Sequence, residues 1–295
     1  MSDHKIEIDM KGGDDAVLLI HGLTGSPFEM KYLARRLNRA GFTVKGPCLA
    51  GHGKTLSDLK KSRWQDWYRT VADEFRELKE QYATVSVAGL CMGALLALFL
   101  SAEFKREVAA IALLSTTLSY DGWGLPWYKF LLPLAYYTPA GYIYSFEERE
   151  PYGIKNKALR VRIVELMKDS SIAHSSVPGV SMRELFKLIN TTKKLIPQVK
   201  TPTLILHSQE DDLASKKNAL YVQKNIGARD VRMVLLDDCY HMLPIDNQRD
   251  VVADEIITFF KDRTALRVKS FRDTRIISTK NLASSNLRYK FYRYK

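Results

Sequence analysis

The 295-residue sequence predicts an α/β protein with a mostly parallel, doubly wound sheet and one inserted helical cap. Three observations predict it. Short β-rich apolar runs alternate with amphipathic helical patterns from residue 16 to about residue 260. The length suits one large domain with an insertion or two small ones. One region, from Ser115 to Lys200, breaks the alternation, and a structureless loop of that size does not belong in a compact domain.

Taken in order, Ala16–His21 reads as a buried strand. Ser26 then caps a helix, with Pro27 at its first position and Glu29 three after the cap, the pattern of a capping box. Leu33 and Leu37 continue its apolar face, and Gly41 ends it. Phe42–Lys45 is the next strand, and Trp64–Tyr82 has helical spacing through Trp67, Val71, Phe75 and Leu78. Thr84–Ala88 is a strand and Met92–Phe104 a strongly apolar helix, joined by Gly89, Leu90 and Cys91. Val108–Leu114, Thr203–His207 and Val231–Leu235 are further strands, with helices near Lys216–Asn225 and Arg249–Phe260. The interrupted region carries many aromatics, among them Trp123, Trp127 and Tyr128, and reads as a cap over about 115–200 with no clear strand.

Charge narrows the class of partner. The net charge is +12, but residues 263–295 hold ten Lys or Arg against the single acid Asp273, so the preceding 262 residues carry only +3. That places the domain at 1–262 and a basic C-terminal extension at 263–295. The body does not read as a nucleic-acid binder. The extension interleaves Arg288, Lys290 and Arg293 with aromatic residues, so peripheral membrane contact is its functional reading and a solvated extension the bland one. The longest apolar runs, Ala94–Leu100 and Val108–Leu114, fall far short of the ~20 residues of a membrane span. The first fifteen residues hold no secretory signal, and Cys48, Cys91 and Cys239 form no CxxC, so the expectation is a cytoplasmic protein with free thiols.

The chemistry concentrates in a few segments. Gly89-Leu90-Cys91-Met92-Gly93 has the G-x-S-x-G spacing of a nucleophile elbow, with Cys in place of Ser. The spacing is physical: a turn this tight strains the central residue, and small residues two positions either side let strand and helix approach. The side chain then projects at a helix N-terminus, where the dipole and unpaired N–H groups favour an anion, and for a thiol favour the thiolate. His21-Gly22-Leu23-Thr24-Gly25 follows the first strand, so the N–H groups of Leu23 and Met92 are candidates for an oxyanion hole. Asp211 and His241 follow later core strands, giving the order nucleophile, acid, histidine. Glu210 and Asp212 are rivals to Asp211. His21, His52 and His207 read as hydrogen-bonding loop residues, and no HxH or HxxxH pair suggests a metal.

The segments HGLTGSP, PCLAGHG, GLCMG, LHSQEDDLAS and DDCYHMLPID resemble those of bacterial carboxylesterases and monoacylglycerol-lipase-like α/β-hydrolases, from about Ala16 to about Lys261. The resemblance implies the α/β-hydrolase fold, Cys91 as nucleophile, Asp211 as acid, His241 as base, and Leu23 and Met92 as the oxyanion hole. That family usually has Ser at the elbow; dienelactone hydrolases and polyhydroxyalkanoate synthases share the fold and use Cys. The expectation is acyl transfer from an ester or thioester, on a small or carrier-bound substrate, through a covalent thioester and without a cofactor. The aromatic cap, with Trp123, Trp127 and Tyr128, would face an apolar acyl group. Three outcomes stay open: hydrolysis as a carboxylesterase or thioesterase, transfer or cyclisation onto an amine, alcohol or thiol, and a catalytically silent binding protein. In the last, Cys91 is a structural thiol or stands where Ser has been replaced.

Overall fold

The computed structural model describes residues 7–125, 145–147, 149–166, 173–174 and 176–265. A seven-stranded sheet organises them: β1 (Ile8–Met10), β2 (Asp15–Ile20), β3 (Thr43–Gly46), β4 (Thr84–Leu90), β5 (Val108–Leu114), β8 (Thr203–Ser208) and β9 (Val231–Leu236). Their spatial order is β1-β3-β2-β4-β5-β8-β9, every pairing parallel except the antiparallel edge pair β1·β3. β1 escaped the sequence reading, because three residues are too few to show an alternation.

Both faces of the sheet are covered, and the pleat of β2 shows how. Ala16, Leu18 and Ile20 enter one apolar cluster while Val17 and Leu19 enter the other. The first cluster is closed by α3 (Trp64–Gln81), which follows the short α2 (Leu56–Lys61), and by α4 (Met92–Phe104); the second is closed by α1 (Lys31–Arg39) and the helix 249–265. α4 is apolar all round and buries ten of its thirteen residues, as a helix packed on every side must. Trp67, Phe75, Phe259 and Phe260 are fully buried, each worth roughly 1.5–3 kcal/mol by removal of apolar surface from water.

Several expectations are corrected. The first helix opens as a 3-10 turn over Pro27–Met30, in which Ser26 Oγ accepts from Phe28 N (3.4 Å), and the α-helix proper starts at Lys31. β4 runs to Leu90, so Cys91 alone separates it from α4, a tighter junction than the sequence suggests. The inserted region does contain strands: β6 (Ser145–Glu147) and β7 (Ser176–Pro178) pair antiparallel, each too short for a period to register. Its helices are α5 (Lys157–Leu166) and α6 (Gly179–Leu195). α6 is less a cap than a core helix: Met182, Leu185, Leu188 and Ile189 join the main cluster beside α4. The closing helix continues to 265, with Arg263 paired to Asp230 and Thr264 buried, so the body extends past the expected boundary at 262. Trp127, Tyr128 and residues 266–295 lie outside the described residues. No helix among the described residues is long and apolar enough to cross a membrane.

Candidate active site

The sheet register assembles the site. Ile20 lies opposite Gly89, Leu90 opposite Leu114, and Leu114 opposite Leu206, so the loops leaving β2, β4, β5 and β8 emerge side by side at the strands' carboxyl ends. The loop after β9 completes the row, because β9 pairs with β8.

Cys91 sits at the turn from β4 into α4 with φ 55° and ψ −109°, a backbone region that side chains rarely occupy. Its N–H donates to Leu114 O (2.9 Å), which holds the turn against the neighbouring strand. The flanking glycines are required by space. A Cβ on Gly89 would lie 2.1 Å from Gly93 O, and one on Gly93 would lie 2.2 Å from Ile20 O. A Cβ on Gly22 would come 3.8 Å from Cys91 Cβ, so the loop His21–Gly25 abuts the thiol.

That loop is braced from beneath by two neutral imidazoles. His21 Nδ1 donates to Gly22 O (2.8 Å) and its Nε2 accepts from Leu49 N (3.1 Å). Burial, reinforced by His52, pushes the His21 pKa well down, and burial pushes that of His52 to about 4. His52 Nε2 lies 2.5 Å from Leu23 O. The Glu29 carboxylate accepts from Gly22 N (3.1 Å). The Leu23 peptide is therefore held by its carbonyl side, while Met92, as the first residue of α4, has an amide with no partner one turn back in the helix.

Asp211 and His241 meet as a buried pair. His241 Nδ1 lies 3.0 and 2.9 Å from the two Asp211 oxygens. Oδ1 of Asp211 also accepts from Leu213 N (2.9 Å) and Ala214 N (2.8 Å), which fixes the carboxylate by backbone donors of its own loop. Burial opposes charge on Asp211, but His241, His207 and the backbone donor outweigh it and hold its pKa below the usual value. Burial likewise opposes a charged His241, yet the Asp211 carboxylate and Cys91 on the other side raise its pKa well above the ordinary value. The remaining nitrogen, Nε2, is buried without a hydrogen bond of standard geometry. Cys91 is nevertheless near enough to act on the ring.

The rivals to Asp211 are placed elsewhere. Glu210 is on the surface, paired with Lys155 (2.9 Å), and Asp212 is buried with Oδ2 accepting from Gly153 N (3.1 Å). His207 is buried at the end of β8 and donates from Nε2 to Ala214 O (2.7 Å), 3.5 Å behind Asp211 Oδ2. Trp123 is 59% exposed, its indole N–H donating to Glu210 O (2.9 Å) and its ring edge-on to Tyr240, so it stands at the rim of the acid and histidine loops. Cys48 and Cys239 are free thiols, and burial pushes them up to about 11 and about 12. Among the described residues no cluster of His, Cys, Asp or Glu could hold a metal ion.

One neighbour of the thiol escaped the sequence reading. Thr117 Oγ1 lies 3.4 Å from Cys91 Sγ and donates to Ser115 O (3.1 Å). The only signal was the polar run Ser115-Thr116-Thr117 after a wholly apolar strand, and such a run gives no hint of which loop it will face.

Comparison with known proteins agrees with this fold. The profile of the serine aminopeptidase (S33) family matches residues 13–248. The chain is 27% identical over 250 residues to a thermostable monoacylglycerol lipase of Bacillus sp. (strain H-257), covering 85% of this chain and 92% of that one. It is 26% identical over 257 residues to a carboxylesterase of Bacillus subtilis (strain 168), covering 85% and 94%. Among solved structures it superposes on one of the metagenome-derived lipolytic enzymes LipS and LipT, with a TM-score of 0.76 and 25% identity over 88% of this chain and 98% of that one. The fold also matches a monoacylglycerol lipase of Paleococcus ferrophilus, with a TM-score of 0.74 and 17% identity over 87% and 98%. The chain belongs to the serine aminopeptidase (S33) family of α/β-hydrolases.

Proposed function

We propose that this esterase/lipase-type α/β-hydrolase transfers acyl groups through Cys91, with His241 as its proton carrier and Asp211 as the group that orients and charges the imidazole. The observation that carries the reading is the buried Asp211–His241 contact at 2.9–3.0 Å, with Cys91 acting on the same ring from the strained elbow. Cys91 attacks the carbonyl carbon of an ester or thioester as the thiolate, leaving His241 protonated. The oxygen that becomes negative is received by the Leu23 and Met92 N–H groups. Collapse breaks the bond to the leaving group, which takes the proton from His241, and an S-acyl enzyme remains. Water, or another nucleophile with a transferable proton, attacks the thioester carbonyl. His241 accepts that proton and Cys91 leaves as the thiolate. The lipase and carboxylesterase names of the relatives favour an apolar acyl ester as substrate.

A second reading, transfer to an amine, alcohol or thiol, is favoured by Cys91 itself, since a thioester passes its acyl group to such acceptors more readily than an oxygen ester does. The test follows intact mass and product with an activated ester, with and without an amine, on the native protein and Cys91→Ser. A transient acyl adduct on Cys91 is expected. Folded native protein with no adduct across a panel of acyl lengths overturns the covalent mechanism and leaves the silent binding protein. Hydrolysis that rises ~10²-fold or more in Cys91→Ser, with no amide product in either form, overturns transfer.

A further inference from the structure

The chain on either side of His241 is held at three successive points by groups with no part in the chemistry proposed above. Tyr240 N donates to Asp246 Oδ2 (2.8 Å), His241 O accepts from Ser115 Oγ (2.6 Å), and Met242 N donates to Gly153 O (2.8 Å). Asp246 is buried and accepts four backbone N–H groups. Oδ1 takes Asn156 N (3.0 Å) and Asn247 N (2.9 Å); Oδ2 takes Lys155 N (2.8 Å) and Tyr240 N. Two of the four donors belong to the inserted segment and two to the histidine loop. A buried carboxylate satisfied entirely by main-chain donors from two separate stretches ties those stretches together and leaves neither free to shift alone.

The inserted segment reaches the acid loop as well. Gly153 N donates to Asp212 Oδ2 (3.1 Å), and Lys155 Nζ pairs with Glu210 (2.9 Å) and Asp238 (3.3 Å). Gly153 has φ +69°, and a Cβ there would stand 3.0 Å from His241 Cβ and 2.9 Å from Met242 Cγ. No room separates this glycine from the histidine.

We propose that Asp246 and the segment Gly153–Asn156 form a clamp that positions His241 between Asp211 and Cys91 and couples the inserted region to the triad. Asp246 is a positioning residue, acting through the Tyr240 peptide, and Gly153 sets the same backbone from the opposite side. The inference rests on the Cys91–His241 reading. Among the described residues, the charged or titratable groups around the His241 ring include Asp211 on Nδ1, His207 behind that carboxylate, Asp212 beside it, and Cys91 toward Nε2. A shift of the histidine loop changes all four relations without removing any of the groups.

The test uses the full chain with Asp246→Asn and Gly153→Ala, each beside His241→Ala. Asn keeps one acceptor oxygen and turns its NH2 toward two N–H donors. Alanine strains a positive-φ position and pushes on the His241 Cβ. Iodoacetamide alkylation of Cys91, followed by peptide mapping across pH 5–10 (roughly the range of free histidine and thiol titration), reads the pair whether or not a substrate is known. Both variants are expected to lose rate ~3- to 10-fold near neutral pH and to move the rate–pH profile toward that of His241→Ala. With an activated ester, kcat is expected to fall by ~10-fold or more while KM holds, as for a misplaced catalytic group. If both variants fold and keep the native alkylation profile while His241→Ala changes it, the clamp is structural only and the proposal is overturned. Failure of both variants to fold overturns it equally, since the contacts would then serve the fold. If His241→Ala itself leaves the profile unchanged, the Cys91–His241 reading fails first and the clamp falls with it. Should Asp246→Asn alone misfold, Gly153→Ala decides.

Discussion

On the proposed reading, replacing His241 by alanine removes a cation from beside Cys91, and the consequence can be sized. A full ion pair about 4 Å apart is worth roughly 4 kcal/mol at an effective dielectric of about 20, and about 1 kcal/mol in water. His241 is 2% exposed and Cys91 partly buried, so the native site lies toward the stronger limit. A pair of that strength corresponds to a factor of up to ~10³ in rate if nothing offsets its loss. A thiolate deprived of its cation is intrinsically more nucleophilic, which returns about half of that loss on a logarithmic scale. The expected slowing of Cys91 alkylation at neutral pH is therefore ~10-fold, within a window of about 2- to 30-fold. Iodoacetamide labelling with peptide mapping measures it, and Cys48 and Cys239 serve as internal references. Burial is the largest influence on both and raises them to about 11 and about 12. In the native protein Cys91 should be the fastest of the three. Equal or faster labelling of Cys91 in His241→Ala, with the references unchanged, would refute the ion-pair argument.

Two further outcomes follow from the same groups and from the charge distribution. His241 has a pKa raised by folding, so its stabilising contribution is complete below the unfolded value near 6.5 and is lost as pH climbs through the folded value; Asp211 has a lowered pKa, and its contribution is lost as pH falls through the folded value. The melting-temperature gap between native protein and His241→Ala should accordingly be widest around neutrality, at roughly 2–4 °C per kcal/mol, and narrow under alkaline and strongly acidic conditions. A gap that widens steadily with pH contradicts the sign. Truncation after residue 265 removes nine Lys or Arg and Asp273, a net +8, and no proposed catalytic group. Turnover of a small ester should be unchanged while co-sedimentation with anionic vesicles weakens and loses salt sensitivity; lost turnover in a folded truncation would mean that the extension completes the site.

Much of the architecture was legible because its signals are local. A continuous apolar run marks a buried element by itself, and Val108–Leu114 and Met92–Phe104 begin and end where their patterns do. The elbow was legible for a similar reason: Gly89 and Gly93 are demanded by atoms of the same strand–turn–helix unit and its neighbouring strand. Elements of three residues, β1, β6 and β7, were not legible, since periodicity needs length. Nor was the membership of α6 in the core, because its apolar face is as consistent with a cap as with a second helix on α4.

The sequence by itself determined the kind of protein this is: the order Cys91, Asp211, His241, each after a core strand, and a near-neutral body followed by a basic extension. Tertiary structure alone decided which groups touch. Parallel pairing of β4, β5, β8 and β9 brings residues more than a hundred positions apart onto one edge, so the expected Asp211 meets His241 while Glu210 and Asp212 turn elsewhere, and Thr117 stands beside the thiol. Trp123, an apolar-pocket candidate by composition, comes to rest at an exposed rim. Asp246 closes the segment DDCYHMLPID, but nothing in that segment says what its carboxylate meets. Its four main-chain donors come from two stretches about ninety residues apart, and only the folded chain brings them to one carboxylate.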